Sequence, residues 1–271
     1  MELLDPTLVA ELLALGICAG FLAGLFGIGG GMTIVPILVA LFTLEGFALE
    51  HVLPLAIGTA VATIVFTSLS SARAHHARGA VEWPIVRAMA PGLVIGSLVG
   101  PQIATALPAR AMAAVFAAFM GFTAWRMIRN AQPKPSRSLP SAPGLFGVGA
   151  GIGLLSGVVG AGGAFLSVPF MVRCNVRMHA AVATSAALGL PIALAATIGF
   201  VIAGLRKSGL PPHSMGFVYL PALGAIVVAS MLTAPLGARL AHSWDVARLK
   251  RAFAALMAVL GGYMAWRAIG G

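Results

Sequence analysis

Long apolar runs, separated by short polar or glycine- and proline-rich interruptions, set the pattern of this chain. In the first half the runs occupy residues 7–26, 32–44, 52–71, 85–107 and 111–128. In the second they occupy 145–159, 164–172, 180–205, 215–236 and 249–269. A helix that crosses a bilayer takes about 20 apolar residues. Runs 32–44 and 164–172 are too short to cross alone, and they fall at the same relative place in each half. The pattern predicts an all-α polytopic membrane protein with about five transmembrane or partly re-entrant helices per half. Between the halves lies RNAQPKPSRSLPSAPG, residues 129–144. Its prolines stop helix continuation and its polar groups are excluded from hydrocarbon. The predicted organisation is a first helical repeat at 1–128, a linker at 129–144 and a second repeat at 145–271.

The halves match residue by residue. GLFGIGGGMTIVP (24–36) aligns with GVVGAGGAFLSVP (157–169) at a constant spacing of 133. Gly24, Gly27, Gly29, Gly30 and Pro36 then match Gly157, Gly160, Gly162, Gly163 and Pro169. Gly16 and Gly20 match Gly149 and Gly153 at the same spacing. IGTAVA (57–62) resembles ATSAAL (183–188), FAAFM (116–120) pairs with FAALM (253–257), and both halves close on Ala-Trp-Arg. Landmarks recurring in one order imply two internal repeats.

Charge orients them. Five crossings per half would make the repeats inverted, and four would make them parallel. With five, and the first run entering from outside, 13 of the 17 basic residues lie on the linker side. With four, the split falls to 10 against 7. Cytoplasmic loops carry the excess of Lys and Arg, so the inverted arrangement with a cytoplasmic linker is favoured; re-entrant short segments are the competing explanation. Composition agrees with a lipid environment: 59% of residues are hydrophobic and 9% charged, against about 25% charged in soluble domains. The net charge of +10 is accounted for by orientation, and no basic patch interleaved with aromatics points to nucleic acid. The acidic start, MELLDPTLVAELL, lacks the basic region of a cleaved signal peptide.

The glycine runs carry the candidate chemistry. They superficially resemble phosphate loops, but no Lys-Ser/Thr follows either. Read as helix breaks, they free backbone groups that must line protein or a wet cavity. Helix N-termini at such breaks suit an anion, and matched breaks in two halves point to a central substrate site. The candidate substrate-binding residues are Gly27, Gly29, Gly30, Thr33, Gly58, Thr59, Gly160, Gly162, Gly163, Ser167, Thr184 and Ser185, with Pro36 and Pro169 bending or ending the short segments. The hydroxyls offer hydrogen bonds without fixed charge; the competing reading is that they bond their own helices or pack as small residues. Glu11, Glu50, His51, His75, His76 and His179 flank spans, in solvent or headgroups. No nucleophile–base pair, paired carboxylate or metal-ligand spacing is evident, so neither enzyme activity nor a cofactor is expected.

The duplicated motif, GLFGIGGGMTIVP with GTAVA and GVVGAGGAFLSVP with ATSAA, resembles the TauE/SafE family of sulfite exporter-like permeases, over nearly the whole chain. The departures are Ala60 where Ser often follows Gly-Thr, Ala183 where Gly precedes Thr-Ser, and Ala164 in place of a third glycine. The resemblance implies a multi-pass protein of the bacterial inner membrane that moves sulfite, an organosulfonate such as sulfoacetate, or another small sulfur-containing or organic anion.

The expected function is therefore secondary transport by alternating access, with a small anion and the lipid bilayer as partners. The alternatives are a passive anion channel and a membrane anchoring subunit of a larger complex. The sequence assigns no coupling ion, H+ or Na+, since no carboxylate lies deep in a run, and it sets no oligomeric state.

Overall fold

The computed structural model describes residues 6–26, 31–129, 136–243 and 246–270. These form ten helices: α1 (Pro6–Phe26), α2 (Gly31–Leu44), α3 (Leu49–Ala77), α4 (Trp83–Ala106), α5 (Ala109–Ile128), α6 (Ala142–Val159), α7 (Ala164–Arg173), α8 (Met178–Leu205), α9 (Leu220–Ser243) and α10 (Val246–Ile269). Among the described residues, α3, α4, α5, α6, α8 and the Arg251–Ile269 part of α10 are long and apolar enough to cross a membrane. The protein is an all-α polytopic membrane protein. Its outward faces fit that solvent: Ile95, Val99 and Ile103 make an exposed apolar stripe on α4, and Leu194, Ile198 and Ile202 another on α8.

Glycines let the helices meet backbone to backbone, the usual device where hydrocarbon removes the hydrophobic drive for association. Gly92, Gly96 and Gly100 of α4 press in turn on Phe146, Ala150 and Leu154 of α6, while Gly149 and Gly153 press back on Met89 and Leu93. Contact positions rise together along both helices, so α4 and α6 run parallel. Gly16 and Gly20 of α1 meet Ile226 and Ser230 of α9 in the same parallel sense. The central pair is different: Gly58 of α3 faces Phe200 of α8, and Gly189 of α8 faces Ser68 of α3. Rising along one and falling along the other, α3 and α8 are antiparallel. Both are deeply buried, from Ala56 to Ala60 on α3 and from Ala187 to Gly189 on α8.

The short helix α7 is a hairpin arm. With 10 residues, α7 spans about 15 Å, half of a hydrocarbon core of about 30 Å. Its last carbonyl, Arg173 O, accepts the N–H groups of Ser136 and Arg137 at 3.0 and 3.1 Å. Because residues 136 and 137 precede α6, the open ends of α6 and α7 lie on one side and their tip, 160–163, points into the bundle.

The run predicted at 215–236 starts as helix only at Leu220. Ahead of it, β1 (Ser214–Met215) and β2 (Val218–Tyr219) form a tight antiparallel turn through Gly216 at φ +57. Phe217 N–H donates to Phe200 O at 3.2 Å, and this diverts the backbone from helix. Likewise α6 begins at Ala142, inside the stretch read as linker, because Pro143 sits in its first turn, where its missing N–H costs nothing.

Candidate anion site at the hairpin tips

The second tip has left-handed backbone at both ends. Gly160 caps α6 at φ 66 and Gly163 precedes α7 at φ 74, a region open to glycine at little cost. Space imposes the same choice. A Cβ on Gly160 would stand 2.6 Å from Ile57 Cγ2, and one on Gly163 would stand 2.5 Å from Ile192 Cδ1. Gly160 and Ala161 N–H turn back to Ser156 O, and Leu166 and Ser167 N–H bond Gly163 O at 3.0 and 2.9 Å. That leaves the N–H groups of Gly162, Gly163, Ala164 and Phe165 without an acceptor among the described residues.

The start of α2 comes to meet it. A Cβ on Gly31, the first residue of α2, would stand 3.0 Å from Gly160 O and 2.5 Å from Ile64 Cδ1. Gly162 lies under Ile64 Cγ2, and Gly189 lies against Ser68 and Gly162 O. Gly31 and the second glycine run, distant in sequence, therefore meet between α3 and α8. Gly27, Gly29 and Gly30 lie outside the described residues.

The hydroxyls divide into distinct tasks. Thr59 Oγ1 accepts Tyr219 N–H at 3.0 Å, and Thr184 Oγ1 accepts Glu82 N–H at 2.9 Å. Tyr219 directly precedes α9 and Glu82 directly precedes α4, so each threonine satisfies an N–H at the start of a helix from the other half. Gly58 belongs with this contact, since it packs on Phe217 O. Ser167 and Ser185 share a buried hydrogen bond of 2.7 Å between α7 and α8. Thr33 is buried in the first turn of α2. Pro36 and Pro169 sit inside α2 and α7.

Sequence reasoning did not single out Ser156. It is 1% exposed, and its Oγ has no hydrogen-bond partner among the described residues. The oxygen lies 3.5 Å from where a Cβ on Gly163 would be. The available signal was a lone serine between apolar residues one position before Gly157. Arg126 was assigned only to orientation, yet its Nη1 donates to Phe165 O in the first turn of α7 at 3.3 Å. Its counterpart in the closing Ala-Trp-Arg, Arg267, donates to Thr43 Oγ1 at the end of α2 at 2.7 Å.

His51, expected in a solvated flank, is buried; its Nε2 lies 3.1 Å from Ser208 O and 3.3 Å from Glu50 Oε1. Burial, with a smaller contribution from Glu45, raises the Tyr219 hydroxyl above its ordinary range. Among the described residues, no cluster of His, Cys, Asp or Glu has the makings of a metal site.

The sequence model of the sulfite exporter TauE/SafE family matches residues 12–264. A probable membrane transporter protein of Haemophilus influenzae is 33% identical over 256 residues, covering 94% of this chain and 97% of that protein. The probable membrane transporter protein YdhB of Bacillus subtilis is 26% identical over 251 residues, covering 89% and 94%. The probable membrane transporter protein MJ0441 of Methanocaldococcus jannaschii is 22% identical over 259 residues, covering 95% of each. No solved structure matches the chain.

Proposed function

The chain belongs to the sulfite exporter TauE/SafE family, and on that premise we propose that it is a secondary carrier, and not an enzyme, for a small anion bound between the two hairpin tips. The observation that carries this reading is the convergence of Gly31 with Gly160 beside four N–H groups that have no acceptor among the described residues. Backbone donors away from water are nearly always paired; with Gly163 buried and Gly162, Ala164 and Phe165 half-buried, this row at a helix N-terminus suits an acceptor from outside the chain. Oxygen atoms of sulfite, an organosulfonate or a small carboxylate meet that demand.

Alternating access needs two halves that rock about the site. Exchange of packing partners supports an inverted repeat as the device. Helix α1 packs on α9 where α6 packs on α4, and the third helices, α3 and α8, pack on each other in antiparallel fashion. The Thr59–Tyr219 and Thr184–Glu82 bonds trade places under the same exchange. With the basic linker on the cytoplasmic side, the loop from Arg206 to Tyr219 faces outside.

The test is uptake by purified protein in proteoliposomes across a panel of sulfite, sulfoacetate, sulfate and small carboxylates. Saturable uptake of at least one anion is expected. Uptake that rises linearly without saturation favours a passive channel, and no uptake of any anion leaves an anchoring role.

A further inference from the structure

We propose that the second hairpin tip is built for a singly charged oxyanion, held by the N–H groups of Gly162, Gly163, Ala164 and Phe165 together with the hydroxyl of Ser156. The inference rests on the carrier reading for its place in transport, while binding can be measured without flux.

Two independent features meet here. One is the N-terminus of α7, a helix of 10 residues whose first donors have no acceptor among the described residues. The other is Ser156 Oγ, 1% exposed as a residue and unpartnered, 3.5 Å from the position of a Cβ on Gly163. A buried hydroxyl without a partner destabilises the fold, and a bound oxygen acceptor removes that cost. At the spacing of 133 residues the first half carries Ala23 in place of Ser156, and Ile34 in place of Ser167. At these two positions the hydroxyl is therefore particular to the second half.

Charge sets the ligand class. The N-terminus of a helix carries about half an elementary positive charge. The one full charge touching this turn among the described residues is the Arg126 guanidinium, on Phe165 O at 3.3 Å. The surrounding walls are Ile57, Ile64, Ile152 and Ile192. Dipole and guanidinium together supply about one and a half positive charges, enough for a monoanion and short of a dianion. The penalty for burying an ion grows as the square of its charge, so a dianion would enter undercompensated.

Thermal unfolding of the full chain in detergent tests this, with methanesulfonate and acetate as monoanionic probes and sulfate as the dianion, near neutral pH. Methanesulfonate should raise the unfolding temperature saturably, and sulfate should need at least about tenfold more to act. Ser156→Ala should raise the methanesulfonate midpoint about tenfold without lowering the unfolding temperature of the ligand-free protein. Ser156→Thr, which keeps the hydroxyl, should stay near wild type, and Ser156→Gly serves if the alanine variant fails to fold. An unchanged midpoint in Ser156→Ala and Ser156→Gly overturns the serine assignment. Equal action of sulfate overturns the charge assignment, and no stabilisation by either monoanion overturns the proposal entirely. Saturable stabilisation without flux in proteoliposomes supports the site and sinks the carrier reading instead.

Discussion

Thr59 on α3 and Tyr219 at the foot of α9 are joined by a hydrogen bond of 3.0 Å in which the threonine oxygen accepts and the tyrosine N–H donates. Thr184 and Glu82 repeat the arrangement at 2.9 Å from the opposite halves. Thr59→Val would keep the shape and strand a buried N–H, costing about 1–3 kcal/mol; Thr59→Ser should restore it. Thermal unfolding in detergent reads the difference. A valine variant as stable as wild type would show that this bond is idle.

Gly96 should be intolerant of any side chain, because Ala150 O and Leu154 N of α6 occupy the space. Gly96→Leu should cost at least about 1–3 kcal/mol through overpacking and show as a lower unfolding temperature or loss of a monodisperse peak. Gly151, on the open face of α6 with nothing within 4 Å, is the control: Gly151→Leu should behave as wild type.

Topology follows from the charge asymmetry. In the inverted arrangement, cysteines introduced at the exposed positions Glu45 and Lys207 should react with an impermeant thiol reagent from outside intact cells. A cysteine at the exposed Ser138 should react only after the membrane is opened. Labelling of Ser138→Cys from outside reverses the orientation, and opposite sides for Glu45→Cys and Lys207→Cys break the five-crossing count.

Cys174, at the C-terminus of α7, is buried, and burial raises its thiol above the ordinary range while Arg137 opposes the shift. A raised thiol holds less thiolate at neutral pH, so alkylation should be slow at pH 7 and accelerate at pH values more alkaline than for an ordinary thiol. In a Cys18→Ala background the rate should trail that of Ser138→Cys, and Arg137→Ala should slow it further. Fast labelling of Cys174 at pH 7 would contradict its burial.

Much of this architecture is legible in the sequence because membrane helices announce themselves by length. The runs at 85–107 and 111–128 became α4 and α5 with small shifts at their ends. The helix breaks are legible for the same reason, since Gly160 and Gly163 need left-handed backbone and close approach together. Thr59 and Thr184, candidate substrate hydroxyls in the sequence, accept the N–H groups of Tyr219 and Glu82. What periodicity does not reveal is which side chains from distant helices meet. Ser156 gains significance only when α7 folds back over it, and Arg126 only when α5 comes beside Phe165. The turn at 214–219 was missed because its residues are as apolar as the helix they precede.

Counterflow in proteoliposomes tests the central claim most directly. Vesicles preloaded with unlabelled methanesulfonate and carrying wild-type protein should transiently accumulate labelled methanesulfonate, with saturation. Gly163→Leu, which fills the tip beside Ser156 and Ile192, should abolish this in vesicles where unfolding measurements show the protein intact. Absence of counterflow with wild-type protein, or normal counterflow with a folded Gly163→Leu, would contradict a carrier whose site lies between the hairpin tips.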